Sequence, residues 1–439
     1  MATGRLRLRG SAHPGALALV GLLAAMTAGC GAGRSGQPSM SATGPADPYL
    51  WTLYERGDFF GLRAALDTIR GPVTPTVLLV RAATTQAFND SSGANRELAG
   101  LARRRDQLSP AFVLELARLR FRADMRAYQY AAAANDAREF LALSPPDSAM
   151  RADVENDARI AQVLRDVPPQ RVLRRAATEL RLSANGRVPL QIGDSERAYL
   201  LDTGASFSVI TRSEADRLGL AVRRAGVAVG TSTDTRVRAD VAVAPRVRVG
   251  PIELSDVIFL VLPDQALTFG PSLHIPGLIG FPVAAALGEL EFRREGLLRI
   301  PARVPVRTGG NLALRHFTPI ARITIEGQPA ICELDTGAGE TVLLQPFYDR
   351  FQRRIEKLGH PETVRTLGAG GSRAIGSFVL RDMQLVVGGA RLTLPRLRVF
   401  TQSVAIDPTQ LSDCRLGQDV LRSFPGYIIN FRSMNLLPS

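Results

Sequence analysis

The sequence predicts a helical N-terminal domain followed by two similar β lobes, a multidomain chain joining an α part to an all-β part. Three observations carry that expectation. From Asp47 to about Pro169, apolar residues recur at three- and four-residue intervals, the period of an amphipathic helix. From about Leu180 onward, short apolar runs alternate with glycine-bearing turns, the pattern of strands and hairpins. One motif then occurs twice in that second half: Tyr199-Leu200-Leu201-Asp202-Thr203-Gly204-Ala205-Ser206 and Ile331-Cys332-Glu333-Leu334-Asp335-Thr336-Gly337-Ala338.

The chain opens with Arg5, Arg7 and Arg9, then an apolar run from Ala16 to Met26 that ends at Thr27-Ala28-Gly29-Cys30. A basic start, an apolar stretch too short for an ordinary span and small residues before a cysteine read as a signal peptide over residues 1–30. Its end resembles a bacterial lipoprotein box, which implies lipidation of Cys30. Thr27 stands where leucine is usual, and an ordinary secretory signal is the alternative. The expected location is the periplasm or cell envelope, lipid-anchored to a membrane. Residues 31–46 are rich in Gly, Ser and Pro and read as a flexible linker.

Residues 47–170 form the expected helical domain. Trp51, Tyr54, Phe59, Phe60, Leu62, Leu66 and Ile69 follow the helical period, as do Phe112, Leu116 and Leu119. Gly71-Pro72, Ser91-Ser92-Gly93, Ser109-Pro110 and Ser144-Pro145-Pro146 punctuate the helices. Tyr54 with Gly57-Asp58, Phe88 with Asn89-Asp90 and Tyr130 with Asn135-Asp136 loosely resemble tetratricopeptide helix pairs. That implies a solenoid with a protein partner on the helical domain; the alternative is a plain helical bundle.

Strands begin near Arg171, and Asn185-Gly186 reads as a hairpin turn between Glu179–Leu182 and Val188–Ile192. Each acid is then approached through one hairpin: Arg187–Ile192 and Arg197–Leu201 before Asp202, Pro319–Ile325 and Pro329–Leu334 before Asp335. A later apolar-apolar-Gly follows each, Leu278-Ile279-Gly280 at a separation of 78 residues and Arg415-Leu416-Gly417 at 82. The unit is therefore duplicated, with the two acids 133 positions apart. Between lie short helix-like segments, Ser213–Leu218 and Pro346–Leu358, and glycine-containing hairpin tips.

This arrangement resembles the retropepsin-like aspartic proteases, particularly the bacterial ones, over slightly more than half the chain. The resemblance implies two retropepsin-like β-barrel lobes, 180–303 and 304–439, paired as an intramolecular pseudo-dimer. It implies Asp202 and Asp335 as a catalytic dyad, supported by Thr203, Gly204, Thr336 and Gly337. Gly230, Thr231, Gly368 and Gly370 fall at the flap positions. In that fold the segments of Cys332 and Cys414 run side by side; a disulfide or two buried thiols both fit an oxidising compartment. The implied activity is aspartic endopeptidase on extended polypeptides, without cofactor, because two close carboxyls share one proton and supply acid and base together. The alternative is a non-catalytic peptide- or protein-binding module of the cell envelope.

Other chemistries find no support in the residues. His274, His316 and His360 stand alone, and there is neither a zinc motif nor a nucleophile elbow nor a phosphate loop. The net charge of +13 comes from scattered arginines, with Lys357 the sole lysine. Without a basic stripe interleaved with aromatics, no nucleic-acid partner is expected.

Overall fold

The computed structural model describes residues 48–70, 73–145, 148–183, 186–230, 236–269, 273–368, 371–403 and 412–439. Cys30, the leader and the linker lie outside them, as do Thr231 and Gly370. Among the described residues no helix is long and apolar enough to cross a membrane.

Seven α-helices open the described chain: Pro48–Glu55, Phe59–Thr68, Pro75–Ala87, Ser91–Ala102, Pro110–Arg126, Tyr130–Leu143 and Ala149–Val163. Each of the four starts at Asp58, Thr74, Asp90 and Ser109 is capped by that residue's side chain, which accepts the N–H three residues on. Ser91-Ser92-Gly93 marks a helix start: with Asp90 capping Gly93, those residues are its first turn. One expectation fails here. Asp136 lies inside the Tyr130–Leu143 helix, so the third aromatic-then-Asp element is no turn like the other two.

Three larger sheets follow. An eight-stranded sheet joins Arg171–Arg174, Arg187–Ile192, Ser195–Leu201, Ser208–Thr211, Val222–Gly230, Arg236–Val249, Ile252–Leu262 and Gly277–Ile279. A second, also of eight strands, runs from Leu312–Arg315 to Cys414–Leu416 and repeats the central pattern. In each, the strand that delivers the aspartate lies parallel to the strand before the later glycine: Leu201 beside Ile279, Leu334 beside Leu416. A five-stranded sheet takes Thr178–Arg181, Glu289–Arg293 and Leu297–Ile300 from the first half and Gly426–Asn430 and Asn435–Pro438 from the second. The two halves thus share backbone bonds directly, Glu289–Arg293 against Gly426–Asn430.

The hairpin expected at Asn185-Gly186 is corrected by this sheet. Asn185 lies outside the described residues, and the strands on either side of it go to different sheets: Thr178–Arg181 pairs with Leu297–Ile300, and Arg187–Ile192 with Ser195–Leu201.

The helices are tied to the sheets by side chains that meet free backbone groups. Asn156 donates to the Ala228 carbonyl at 3.0 Å and accepts its N–H at 2.8 Å, satisfying the outer edge of Val222–Gly230, the last strand of its sheet. Asn89 donates to the Phe431 carbonyl at 2.7 Å and Arg63 to that of Gly310 at 2.8 Å. One apolar core runs through this junction, from Phe121 and Phe140 into both β halves.

Candidate active site

Asp202 and Asp335 directly follow the strands Ser195–Leu201 and Gln328–Leu334 and enter turns that meet face to face. Both are buried, at 0% and 4% exposure. A Cβ on Gly337 would stand 2.6 Å from the Asp202 carboxyl carbon, and one on Gly204 would stand 2.8 Å from that of Asp335. Each carboxyl therefore rests on the opposite turn's glycine, in space any other residue would fill.

The threonines lock the turns together. The Thr203 N–H donates to the Thr336 hydroxyl and the Thr336 N–H to the Thr203 hydroxyl, at 3.0 and 3.1 Å. Each aspartate also orders its own turn: the Gly204 N–H reaches Asp202 Oδ1 at 2.9 Å, and the Gly337 and Ala338 N–H groups reach Asp335 Oδ1 at 2.9 Å.

The later glycines hold these turns from beneath. The Asp202 N–H donates to Ile279 and the Phe281 N–H to Ala205, at 2.9 and 2.8 Å; the Asp335 N–H donates to Leu416 and the Gln418 N–H to Ala338, at 3.1 and 2.9 Å. A Cβ on Gly280 would come within 2.4 Å of the Phe207 backbone, and one on Gly417 within 2.7 Å of the Glu340 backbone. Sequence reasoning missed the partners of these glycines. The Gly280 N–H is accepted by Ser208 at 3.1 Å, and the Gly417 N–H by Thr341 at 2.9 Å. Both hydroxyl residues stand six positions after their aspartate, a signal present in the sequence. Thr341 in turn donates to Asp419 from its N–H and hydroxyl, at 2.8 and 2.6 Å.

Electrostatics set the pair apart from surface carboxyls. Burial, and then the neighbouring Asp335, hold Asp202 well above the usual carboxylate range. Burial also raises Asp335, opposed first by Arg415. Arg415 and Glu333 were not anticipated as site residues; their sequence context is that of ordinary strand positions.

Gly230 and Gly368 end the strands Val222–Gly230 and His360–Gly368, in register with Arg236 and Gly371 of the strands that follow. A cleft of about 1170 Å³ runs past the dyad turns, touching Leu200 and Leu201 on one side and Thr336, Gly337, Gly339 and Glu340 on the other. Arg187, Arg293, Arg294 and Arg422 also line it. Among the described residues, no group of three or more His, Cys, Asp or Glu side chains is placed to hold a metal ion. Cys332 and Cys414, opposite each other on parallel strands, are joined in a disulfide with Cα atoms 4.4 Å apart.

Comparison with known proteins finds similarity over part of the chain. No curated protein matches it. Among solved structures, a retropepsin-like aspartic protease from Rickettsia conorii shares 17% identity over 30% of this chain and 91% of its own, at a TM-score of 0.21. EIAV protease complexed with the inhibitor HBY-793 shares 21% over 24% of this chain and 86% of its own, at 0.17. Residues 188–283, which include Asp202, Ser208 and Gly280, match a protein family described as aspartyl protease.

Proposed function

We propose that this chain is an aspartic endopeptidase whose water-activating pair is Asp202 and Asp335, carried on two retropepsin-like lobes that pair within one chain. The observation that carries the reading is the meeting of two Asp-Thr-Gly turns 133 residues apart, each carboxyl seated on the other turn's glycine. The aspartyl protease match over residues 188–283 supports it from the first turn.

Two buried carboxyls this close do not both ionise at once, so over a range of pH the pair holds one proton. The ionised member takes a proton from water as the water oxygen bonds to the peptide carbonyl carbon. The protonated member gives its proton to the carbonyl oxygen, leaving a neutral gem-diol and a dyad that again holds one proton. In the second step a gem-diol hydroxyl returns its proton to the free carboxylate as the C=O bond re-forms and the C–N bond breaks. The leaving nitrogen takes its proton from the other carboxyl. The threonine cross-bonds keep the two groups in place, so little reorganisation accompanies either step.

The substrate this reading implies is an extended polypeptide laid across the two turns. The leader adds export and lipidation at Cys30 to the proposal, and the helical domain adds a surface for a protein partner. The test is a peptide-library digest by the mature chain from acid to neutral pH, beside Asp202→Asn and Asp335→Asn. Each single variant is expected to lose cleavage while keeping its thermal melt. Wild-type digestion by either would overturn the mechanism.

A further inference from the structure

Arg415 stands where the duplication fails. Two residues before Asp202 is Leu200, in register with Leu278, which is two residues before Gly280. The corresponding pair beside Asp335 and Gly417 is Glu333 and Arg415. Two leucines in one half are thus matched by an acid and a base in the other.

The base faces the dyad. Arg415 is 4% exposed, with Nε 3.4 Å from Glu333 Oε2 and 3.5 Å from Asp335 Oδ2. Its buried Nη1 has no hydrogen-bond partner among the described residues. The other charged groups around it are already engaged or lie further along. Its neighbour on the far side is Val342, and beyond that Arg398 binds Glu340 and Glu362. Asp419 is held by Thr341, and Asp202 meets the group only from the opposite turn.

Backbone donors are unequal in the same sense. Asp335 Oδ1 accepts two N–H groups and Asp202 Oδ1 one, while buried Asp202 Oδ2 receives no donor. A cation and an extra N–H both favour the charged form of a carboxyl. Resting on the peptidase reading above, we propose that Arg415 makes the two aspartates inequivalent: Asp335 is the carboxylate that takes the proton from water, and Asp202 carries the proton that goes to the carbonyl oxygen. Arg415 is then a positioning residue that acts through Asp335, and the pair it forms with Glu333 tunes the pH at which the dyad becomes singly protonated. The opposition of Arg415 to the burial of Asp335 agrees with this.

The experiment is the pH profile of kcat/KM for the full mature chain and four variants. Removing the cation in Arg415→Leu is expected to move the acid limb up by about one to three pH units. Glu333→Leu frees Arg415 and moves it down; the double variant, a copy of the leucine pair, falls between wild type and Arg415→Leu. Arg415→Lys keeps the charge and stays near wild type. These opposite signs are not what loss of packing would produce, and Glu333→Leu and Arg415→Lys serve if Arg415→Leu does not fold. In parallel, the aspartate carboxyl carbons of the ¹³C-labelled chain are titrated by NMR, with Asp335→Asn and Asp202→Asn to assign them. The dyad carboxyl that ionises first is expected to be Asp335. A chain that cuts no peptide but ionises in this order keeps the inequivalence that Arg415 imposes on the two aspartates and sinks the peptidase. Active enzyme whose acid limb ignores Arg415→Leu, or a first ionisation at Asp202, overturns the inference alone.

Discussion

Thr203 and Thr336 hold each other by the same bonds run in both directions. Besides accepting the other's N–H, each hydroxyl donates to the carbonyl just before the opposite aspartate, Leu334 for Thr203 and Leu201 for Thr336, both at 2.7 Å. Both threonines are buried, at 0% and 4% exposure. Water therefore does not replace a bond that is lost.

Thr203→Val keeps the shape and removes the hydroxyl, so it strands the Thr336 N–H and the Leu334 carbonyl. Each buried group left unpaired costs about 1–3 kcal/mol, to be read as a lower urea midpoint. A dyad loosened by an ångström loses on the order of 10²-fold in kcat/KM. Thr203→Ser restores the hydroxyl and is expected to recover most of both. Equal behaviour of the Val and Ser variants would show that the cross-bonds do not matter.

Gly337→Ala tests the seat of the opposite carboxyl. Its methyl would meet the Asp202 carboxyl carbon at 2.6 Å, forcing the pair apart. The expected cost is about 1–3 kcal/mol of overpacking, with peptide cleavage falling far more than stability. Gly327→Ala is the control. Gly327 also turns, at φ +77°, but nothing lies within 4 Å of its added methyl, so only backbone strain is expected and cleavage should survive.

The two Asp-Thr-Gly turns, their hairpins and the later glycines were legible in the sequence because each needs a residue type that nothing else supplies at that point. The six-residue offset to Ser208 and Thr341 was equally open to reading. Arg415 and Glu333 were not. A charged residue in a strand says nothing of its partner until the parallel register places the two side by side. Asn156 and Ala228 show the same limit at the helical junction: an amide 72 positions away closes a sheet edge, and no local pattern announces it. The reading failed at Asn185-Gly186, where the strands on either side pair in two different sheets and not with each other: turn-forming residues mark a change of direction but do not say which strands it joins.

Cys332→Ala with Cys414→Ala tests the link beneath Asp335. The bond closes a loop across a sequence separation of 82 residues, and its loss is expected to cost about 2–4 kcal/mol, seen as a lower urea midpoint. Both sulfurs belong to fully buried residues, so reductant added to the native chain should act only as the strands open. Rapid reduction with no change in midpoint would contradict both points.

Asp157 makes the attachment of the helices pH-dependent. It is buried at the junction, 3.9 Å from His316 Nε2, and its Oδ1 has no hydrogen-bond partner among the described residues. Burial first, then Asp153, pushes it up to about 8, against the pull of Arg122. His316, on the turn between Leu312–Arg315 and Thr318–Ile325, is driven the other way by burial and by Arg122, Arg126 and Arg118. The pair is thus a neutral acid beside a neutral imidazole near pH 7, not an ion pair. Because the folded Asp157 titrates above its unfolded value, its contribution to stability is fully present below about pH 4 and declines as pH rises, the loss complete above about 8. His316 has the opposite sign: its contribution is present above about 6.5 and lost as pH falls below it. Asp157→Asn removes the first slope and leaves the second. Its thermal midpoint is expected to fall less than that of wild type between pH 5 and 8, while the two chains lose stability alike below pH 5. Parallel midpoints from pH 5 to 8 would mean that Asp157 is already ionised in the folded chain, with Arg122 outweighing the burial.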